Sequence, residues 1–184
     1  MEKFLILDRD EVINVMPSGM KYIKTPHDVK LKDINIKGLK SLRDLNLRII
    51  VASNQRGVGL GTVTSLEVDL VNKSINNKLS KHGLKVEKFF YCPHQNLDEC
   101  NCRKPKPGLL YAAAKEFKIT LSNCIFIGDM PSDCYAGLRA GCKTILLSNE
   151  EPDLEFIKNE RFLGAYPNMV LASKVIRSFY TNLK

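Results

Sequence analysis

Two aspartates follow directly after an apolar run near the start of the chain. Residues 4–7 have the composition of a buried strand, and Asp8 and Asp10 come next, separated by one arginine. In extended backbone, residues two apart lie on the same side, so the two carboxylates are expected to lie close together. Because neighbouring carboxylates repel, one of them needs a proton or a cation. The pair could supply a nucleophile, a proton shuttle and a seat for Mg²⁺, although a strand that ends in a polar turn would have the same sequence.

Polar residues also follow two later apolar runs. Residues 48–52 lead into Ser53, and residues 124–128 lead into Asp129. If these runs are parallel strands of one sheet, their carboxyl ends meet in one crevice together with the aspartate pair. Asp129 could then complete an oxygen-rich Mg²⁺ site, and Asp133 is expected to be an outer ligand or a charge at the start of a helix.

A glycine-rich turn and a basic segment offer candidate phosphate contacts. The turn at 57–61 follows Ser53 and contains three glycines, so a hydroxyl and backbone N–H groups could cradle phosphate oxygens. Lys104 lies in a basic, proline-rich segment at 102–108, where it could neutralise a phosphate and a nucleophilic carboxylate together. A flexible loop and a basic surface loop, respectively, would have the same compositions.

Three cysteines and one histidine lie within the eleven residues 92–102, at Cys92, His94, Cys100 and Cys102. Three thiolates and an imidazole suit a closed tetrahedral Zn²⁺ site, and since no position is left for water, the predicted role is structural. The predicted zinc loop, at about 92–107, would present the basic segment. The other three of the six cysteines lie in apolar or helical contexts and are expected to be small core residues.

Apolar runs alternate with helical patterns along the chain. Strands are predicted at 3–7, 48–52, 86–91, 124–128 and 143–147, with a short last strand near 169–171. Helices are predicted at about 38–46, 108–118, 131–140 and 172–182, and after residue 62. In the helix after residue 62, Thr64 and Glu67 are predicted to form a capping box. Leu66, Leu70, Val71, Ile75 and Leu79 repeat there at helical spacing. This alternation predicts an α/β fold with a parallel sheet covered on both faces.

The composition limits the class of protein. With 184 residues, 44% hydrophobic and 26% charged, the chain is expected to form one soluble globular domain over 1–184. It has no apolar run of about 20 residues and no signal-peptide pattern, so a cytoplasmic protein without membrane contact is expected. The net charge of +8 is compatible with anionic substrates or nucleic acid, but it comes from scattered lysines rather than a basic block.

Four motifs of the chain together resemble those of the haloacid dehalogenase-type phosphatases and follow that family's order. They are Asp8-x-Asp10, Ser53, Lys104 and Gly128-Asp129-x₃-Asp133. The resemblance covers residues 3–147. It implies a three-layer, Rossmann-like sandwich with a central parallel sheet and no large cap domain. It also implies Mg²⁺-dependent phosphoryl transfer through an aspartyl-phosphate.

The resemblance also assigns expected roles. Asp8 would be the nucleophile, and Asp10 would protonate the leaving alkoxide and then activate water. Ser53 and Lys104 would hold the phosphate. The side chains of Asp8 and Asp129, with the backbone carbonyl of Asp10, would bind Mg²⁺.

The cysteine segment narrows the resemblance to the histidinol-phosphatase-like branch. Within it, the ending Lys104-Pro105-x-Pro107-Gly108 and the full helix after residue 62 are most similar to enzymes that act on heptose 1,7-bisphosphate. The implied partner is a small phosphorylated sugar, contacted by Asn54, Arg56 and Arg103. A monomer is expected, although the sequence does not settle the oligomeric state.

Two departures keep other functions open. Glu11 stands where the family has glycine, and Arg56 and Leu60 stand where the heptose enzymes have serine and arginine. The short spacing between His94 and Cys100 is closer to enzymes that act on histidinol phosphate. A nucleic-acid 3′-phosphatase, motivated by the net charge, and a weakly active binding protein, motivated by Glu11, are further alternatives.

Overall fold

A six-stranded parallel sheet forms the centre of the computed structural model, which describes residues 2–183. In chain order the strands are β1 (Phe4–Leu7), β2 (Asn14–Val15), β3 (Lys30–Leu31), β4 (Arg48–Asn54), β5 (Val86–Cys92), β6 (Ile125–Gly128), β7 (Lys143–Leu147) and β8 (Phe162–Tyr166). The order across the sheet is β5-β4-β1-β6-β7-β8, and β2 pairs with β3 in a separate antiparallel hairpin. β1 therefore lies between β4 and β6, the two strands that carry the other polar ends.

Helices cover both faces of this sheet, as predicted. They are α1 (Asp33–Lys40), α2 (Arg56–Gly59), α3 (Ser65–Ser80), α4 (Gly108–Phe117), α5 (Pro131–Ala140), α6 (Leu154–Ile157) and α7 (Met169–Asn182). In β1, Leu5 and Leu7 pack in one apolar cluster with α1, α3 and α7, whereas Phe4 and Ile6 pack in a second cluster with α4 and α5. The three-layer sandwich is confirmed. Within residues 2–183, no helix combines the length and apolar character needed to cross a bilayer.

Two predicted elements are wrong. The strand near 169–171 is instead the first turn of α7, because the side chain of Asn168 accepts a hydrogen bond from the backbone N–H of Leu171 and caps a helix there. The sixth strand of the sheet is β8. The helix predicted at 38–46 begins earlier, as α1, and a short 3-10 turn at 43–45 follows it.

The buried face of α3 also differs from the predicted apolar stripe. The capping box of Thr64 and Glu67 is present, but Leu66 and Leu70 are 68% and 44% exposed. The buried residues of this helix are instead Val68, Val71, Asn72, Ile75 and Leu79. One polar side chain, that of Asn72, therefore lies on the inner face of the helix.

Helix α7 is tied to the centre of the sheet and to the segment after β1. The Tyr180 hydroxyl donates to the backbone oxygen of Phe4 and accepts from the backbone N–H of Ile125, 3.0 Å away. The side chain of Asn35 in α1 donates to the Val12 carbonyl and accepts from the Met169 N–H, each at 2.9 Å. The loop that follows the aspartate pair is thus held between α1 and α7.

Candidate active site

Three neighbouring strands bring the predicted polar residues to one edge of the sheet. Asp8 follows β1, Ser53 is near the end of β4, and Asp129 follows β6. They surround a cavity of about 280 Å³, lined by Asp8, Asp10, Glu11, Ser53, Asn54, Arg103, Lys104, Asp129, Met130, Ser132 and Asp133. The convergence expected for parallel strands therefore exists in the fold.

Lys104 is a buried cation at the centre of this cavity wall. It is 4% exposed. Its ammonium forms ion pairs with Asp8 Oδ1 at 2.9 Å and Asp133 Oδ1 at 2.7 Å, and it donates a hydrogen bond to the Ala52 carbonyl at 2.9 Å. Burial alone would lower the pKa of Lys104, but Asp133 and Asp8 outweigh it and raise that pKa. The lysine is therefore charged and holds two carboxylates.

One lysine does not balance all the carboxyl groups here. Burial raises the pKa of Asp8 to about 7 despite the opposing attraction of Lys104, and burial and the Asp133 charge raise that of Asp129 to about 6. Ligand oxygens of Asp8, Asp129 and Asp133 lie within 4.8 Å of one another. An excess of buried carboxylate oxygens at this spacing fits a hard divalent cation such as Mg²⁺.

Asp133 was predicted to be an outer ligand or a charge at the start of a helix, and it also contacts Lys104 directly. At the start of α5 its Oδ2 accepts from the Met130 N–H at 3.0 Å, while its Oδ1 meets Lys104. A Cβ at Gly128 would lie 2.2 Å from the Asp133 side chain, so glycine is needed there. Asp133 is therefore a charge at the start of a helix that also lies directly against the lysine, and its role as an outer metal ligand stays a prediction.

Three neighbouring side chains donate hydrogen bonds to the Asp10 carboxylate. Its Oδ1 accepts from Arg9 Nε at 3.2 Å and Asn14 Nδ2 at 2.9 Å, and its Oδ2 accepts from an Arg9 terminal nitrogen and from Gln55 Nε2, both at 3.0 Å. Burial would raise the pKa of Asp10, but Arg9, Asn14 and Gln55 together lower it. These contacts therefore favour the carboxylate form of Asp10.

Sequence reasoning assigned no role to Arg9 or Gln55. Gln55 Nε2 also donates to Ser53 Oγ at 2.8 Å, so one amide joins Ser53 to Asp10. A signal for Arg9 was available, because a residue between two aspartates that face the site must point the opposite way, into the protein. Its partner Asn72 gave no such signal, because only the structure places that side chain on the inner face of α3.

The three residues predicted to contact the substrate differ in their position relative to the cavity. Arg103 lines the cavity, and a terminal nitrogen of its guanidinium is 3.4 Å from the His94 carbonyl. Asn54 uses its amide to bracket the backbone of Lys104, with both contacts at 3.1 Å, so it positions the lysine. Arg56 is exposed at the start of α2 and is not among the described residues that line the cavity.

Glu11 adopts the backbone conformation that favours glycine, with a φ of 57°. Its carboxylate accepts from the Met16 N–H at 2.6 Å and pairs with Lys32 at 3.0 Å, and Lys32 also donates to the Glu11 carbonyl. These contacts hold the strained turn and direct the carboxylate toward Lys32, although the residue still lines the cavity.

The four predicted sulfur and nitrogen ligands form a second cluster beside this site. The Sγ atoms of Cys92, Cys100 and Cys102 lie 3.2 to 3.6 Å apart, and His94 Nδ1 lies 3.5 Å from Cys92 Sγ and 3.2 Å from Cys102 Sγ. Ligands around a tetrahedral zinc would be about 3.8 Å apart, given Zn–S bonds of about 2.3 Å. The donor set and its spacing therefore fit a closed metal site.

Comparison with known proteins identifies the class and then the family. The HAD-hydrolase-like family profile matches residues 101–163. The D,D-heptose 1,7-bisphosphate phosphatase of B. bronchiseptica, solved with magnesium and phosphate, is 23% identical, covers 96% of this chain and 98% of its own, and superposes with a TM-score of 0.81. The fold is thus that of the haloacid dehalogenase-like hydrolases.

Relatives found by sequence have higher identity to this chain than that solved structure. The D-glycero-alpha-D-manno-heptose-1,7-bisphosphate 7-phosphatase of Campylobacter jejuni is 36% identical over 81% of this chain and 84% of the relative. The D-glycero-beta-D-manno-heptose-1,7-bisphosphate 7-phosphatase of Helicobacter pylori is 33% identical over 82% of this chain and 85% of the relative. The chain belongs to this family of haloacid dehalogenase-like heptose-1,7-bisphosphate 7-phosphatases.

Proposed function

We propose that the chain is a Mg²⁺-dependent phosphatase that hydrolyses the 7-phosphate of D-glycero-D-manno-heptose 1,7-bisphosphate. The observation that carries this proposal is the buried Lys104, which binds Asp8 and Asp133 beside Asp129 at the carboxyl edge of the sheet. Membership of the heptose bisphosphatase family supports the substrate. A cytoplasmic, monomeric, single-domain enzyme stays a prediction.

In the first step, an Asp8 oxygen attacks phosphorus and the bond to the sugar oxygen breaks. Lys104 keeps the attacking carboxylate oriented, and the Ser53 hydroxyl binds a phosphate oxygen. Asp10, once protonated, gives its proton to the leaving sugar oxygen. Mg²⁺, held by Asp8, Asp129 and the Asp10 carbonyl, would offset the negative charge of the phosphate.

In the second step, water attacks the phosphorus of the Asp8 phosphate, and Asp10 accepts the proton from that water. Hydrolysis frees Asp8 and inorganic phosphate, and Asp10 is again protonated for the next turnover. Arg9 and its neighbours favour the carboxylate form of Asp10, which is the form that this step needs.

The surroundings suit a substrate with a second phosphate. A neighbouring cavity of about 470 Å³ shares Asn54, Arg103, Lys104 and Ser132 with the site, and it also includes Lys106 and Arg139. This basic lining favours an anionic group over the cationic side of histidinol phosphate. The same family includes relatives named for the alpha and the beta anomer, so both anomers are candidates.

Phosphate release tests the proposal. Wild-type protein with Mg²⁺ is compared on both heptose 1,7-bisphosphate anomers and histidinol phosphate, alongside Asp8→Asn. We expect preference for a heptose anomer and a loss of roughly 10³-fold or more in Asp8→Asn, because an amide cannot attack phosphorus.

The control for this variant is Asp44→Asn, the same chemical change at an exposed residue that pairs with Arg177. It should keep wild-type turnover. Preference for histidinol phosphate would contradict the substrate, and full activity of Asp8→Asn would contradict the mechanism.

A further inference from the structure

Arg9 is a charged side chain in the protein interior. It is only 2% exposed and is among the largest fully buried side chains of residues 2–183. It lies between the two aspartates in sequence, but its guanidinium extends away from the cavity, toward α3 and the segment after β4. A buried guanidinium is costly unless its N–H groups find partners.

Those partners form one connected network. A terminal nitrogen of Arg9 donates to Asn72 Oδ1 at 3.2 Å, and the other donates to Gln55 Oε1 at 2.9 Å. The Nε and that second terminal nitrogen also bind both oxygens of Asp10. The guanidinium is therefore anchored at its far end by a helix and presents a fork to the carboxylate.

A fork of this kind does more than balance charge. Two parallel N–H contacts fix the plane of a carboxylate, which a single ammonium cannot do. With Asn14 and Gln55, four N–H donors contact the two oxygens of Asp10. The direction of the Asp10 carboxylate is thus set by groups around it.

We infer that Arg9 is a positioning residue for Asp10, and through Gln55 for the Ser53 hydroxyl. Its fork, anchored on Asn72, directs the Asp10 carboxylate toward the oxygen that leaves with the sugar. This inference rests on the proposed function, because it assigns Arg9 to the proton-transfer step of the phosphatase reaction. Arg9 itself does not touch the reacting atoms.

Leaving-group dependence provides the test. Proton transfer matters greatly for a sugar phosphate, whose alkoxide is a poor leaving group, and little for p-nitrophenyl phosphate, whose phenolate leaves readily. We expect Arg9→Gln to lower the single-turnover rate of leaving-group release about 100-fold on heptose 1,7-bisphosphate, but less than about 10-fold on p-nitrophenyl phosphate. This rate reports the first step alone, because hydrolysis of the Asp8 phosphate, which both substrates share, comes after it. KM should change little on either substrate, since the phosphate contacts remain.

Conservative and distant variants separate orientation from charge and from folding. Arg9→Lys keeps the charge without the fork, so it should recover thermal stability more fully than the rate of leaving-group release. Asn72→Ala removes only the far anchor, should fold, and should show a smaller loss with the same substrate selectivity. Arg48→Gln, which removes an arginine paired with Glu2 and Glu87 elsewhere in the sheet, should affect both substrates equally.

An equal loss in the rate of leaving-group release on both substrates in Arg9→Gln would overturn the inference. Full recovery of that rate in Arg9→Lys would overturn it as well. If Arg9→Gln does not fold, Asn72→Ala decides: selective loss supports the inference and equal loss overturns it. Wild-type protein that releases phosphate from no ester would overturn the proposed function instead, which distinguishes the two failures.

Discussion

The carboxylate site and the cysteine–histidine cluster differ in the source of their positive charge. In the carboxylate site, the Lys104 ammonium already binds Asp8 and Asp133, and an open cavity remains beside them. In the cluster, the three sulfurs contact one another, and the pKa of Cys92 is raised to about 12 by burial and by the neighbouring thiols. A lysine lets carboxylates stay together while a ligand position stays open, whereas three thiols and an imidazole at this spacing suit a metal that would close the site.

The two regions are joined by one short segment. Lys104 comes two residues after Cys102, and Asn54 clamps its backbone from β4. The segment that supplies the last sulfur of the cluster therefore also supplies the cation of the carboxylate site. Loss of order in the cluster should reach the active site through this lysine.

Removal of the lysine should have the largest effect. Lys104→Met keeps the length of the side chain but leaves buried carboxylates without their cation. We expect turnover to fall by at least about 10³-fold and, without Mg²⁺, the free energy of unfolding to fall by about 3–5 kcal/mol. Urea denaturation and phosphate release measure the two effects.

The control for that variant is Lys88→Met, which breaks an exposed ion pair with Glu116. It should change neither quantity much, because exposed pairs contribute little. Wild-type stability in Lys104→Met without metal would show that the carboxylates do not need an internal cation.

Loss of the cluster should have an intermediate effect. Cys100→Ser removes one ligand, so the bound metal should fall well below one per chain, the melting temperature should drop, and turnover should fall about 10- to 100-fold as Lys104 loses its support. Elemental analysis, thermal unfolding and phosphate release check this prediction. Added Mg²⁺ should not restore the loss.

Cys134→Ser is the matched change at a buried cysteine outside the cluster, and it should keep the full metal content. If Cys100→Ser also kept its metal, the four side chains would not be the ligands. If it lost metal at wild-type turnover, the proposed link between the regions would be wrong.

The dependence of the free energy of unfolding on pH should be the smallest of these effects. Without metal, Asp8 and Asp129 have folded pKa values of about 7 and 6, above those of the unfolded chain. The folded state then binds more protons than the unfolded state between about pH 4 and 7, so the stability due to these protons is lost as pH rises through that range. Asp10, whose pKa is lowered, acts oppositely and only at acid pH.

We expect the free energy of unfolding of the metal-free protein to fall by about 1–3 kcal/mol between pH 5 and pH 7.5. Mg²⁺ should flatten this slope, since it favours both carboxylates. Urea titrations at the two pH values, with and without Mg²⁺, make the comparison. An increase in stability over this range without Mg²⁺ would contradict the assigned shifts.

Much of the site could be predicted because its parts follow strands. Asp8, Ser53 and Asp129 each come at a strand end, and parallel strands share that edge. The cysteine cluster is local in sequence. The Arg9 network could not be predicted in the same way, because Asn72 and Gln55 lie 63 and 46 residues from Arg9 and only folding brings them together.

Some local patterns also pointed the wrong way. The apolar residues at 169–171 fit a strand, but the cap supplied by Asn168 decides for a helix. Leu66 and Leu70 have helical spacing, yet α3 buries Asn72 rather than either leucine. The Asn168 cap is a local signal that the apolar run concealed, whereas the buried face of α3 is set by tertiary contacts that a sequence pattern does not record.

The contacts of α7 have a consequence for how the molecule folds. Tyr180 reaches Phe4 across 176 residues of sequence, and Asn35 reaches Met169 across 134. Closing such long chain loops costs entropy that local contacts do not, so these bonds are expected to form late. Because Asn35 also holds the loop after the aspartate pair, the catalytic edge should mature only in the final stage of folding, after the sheet itself has assembled.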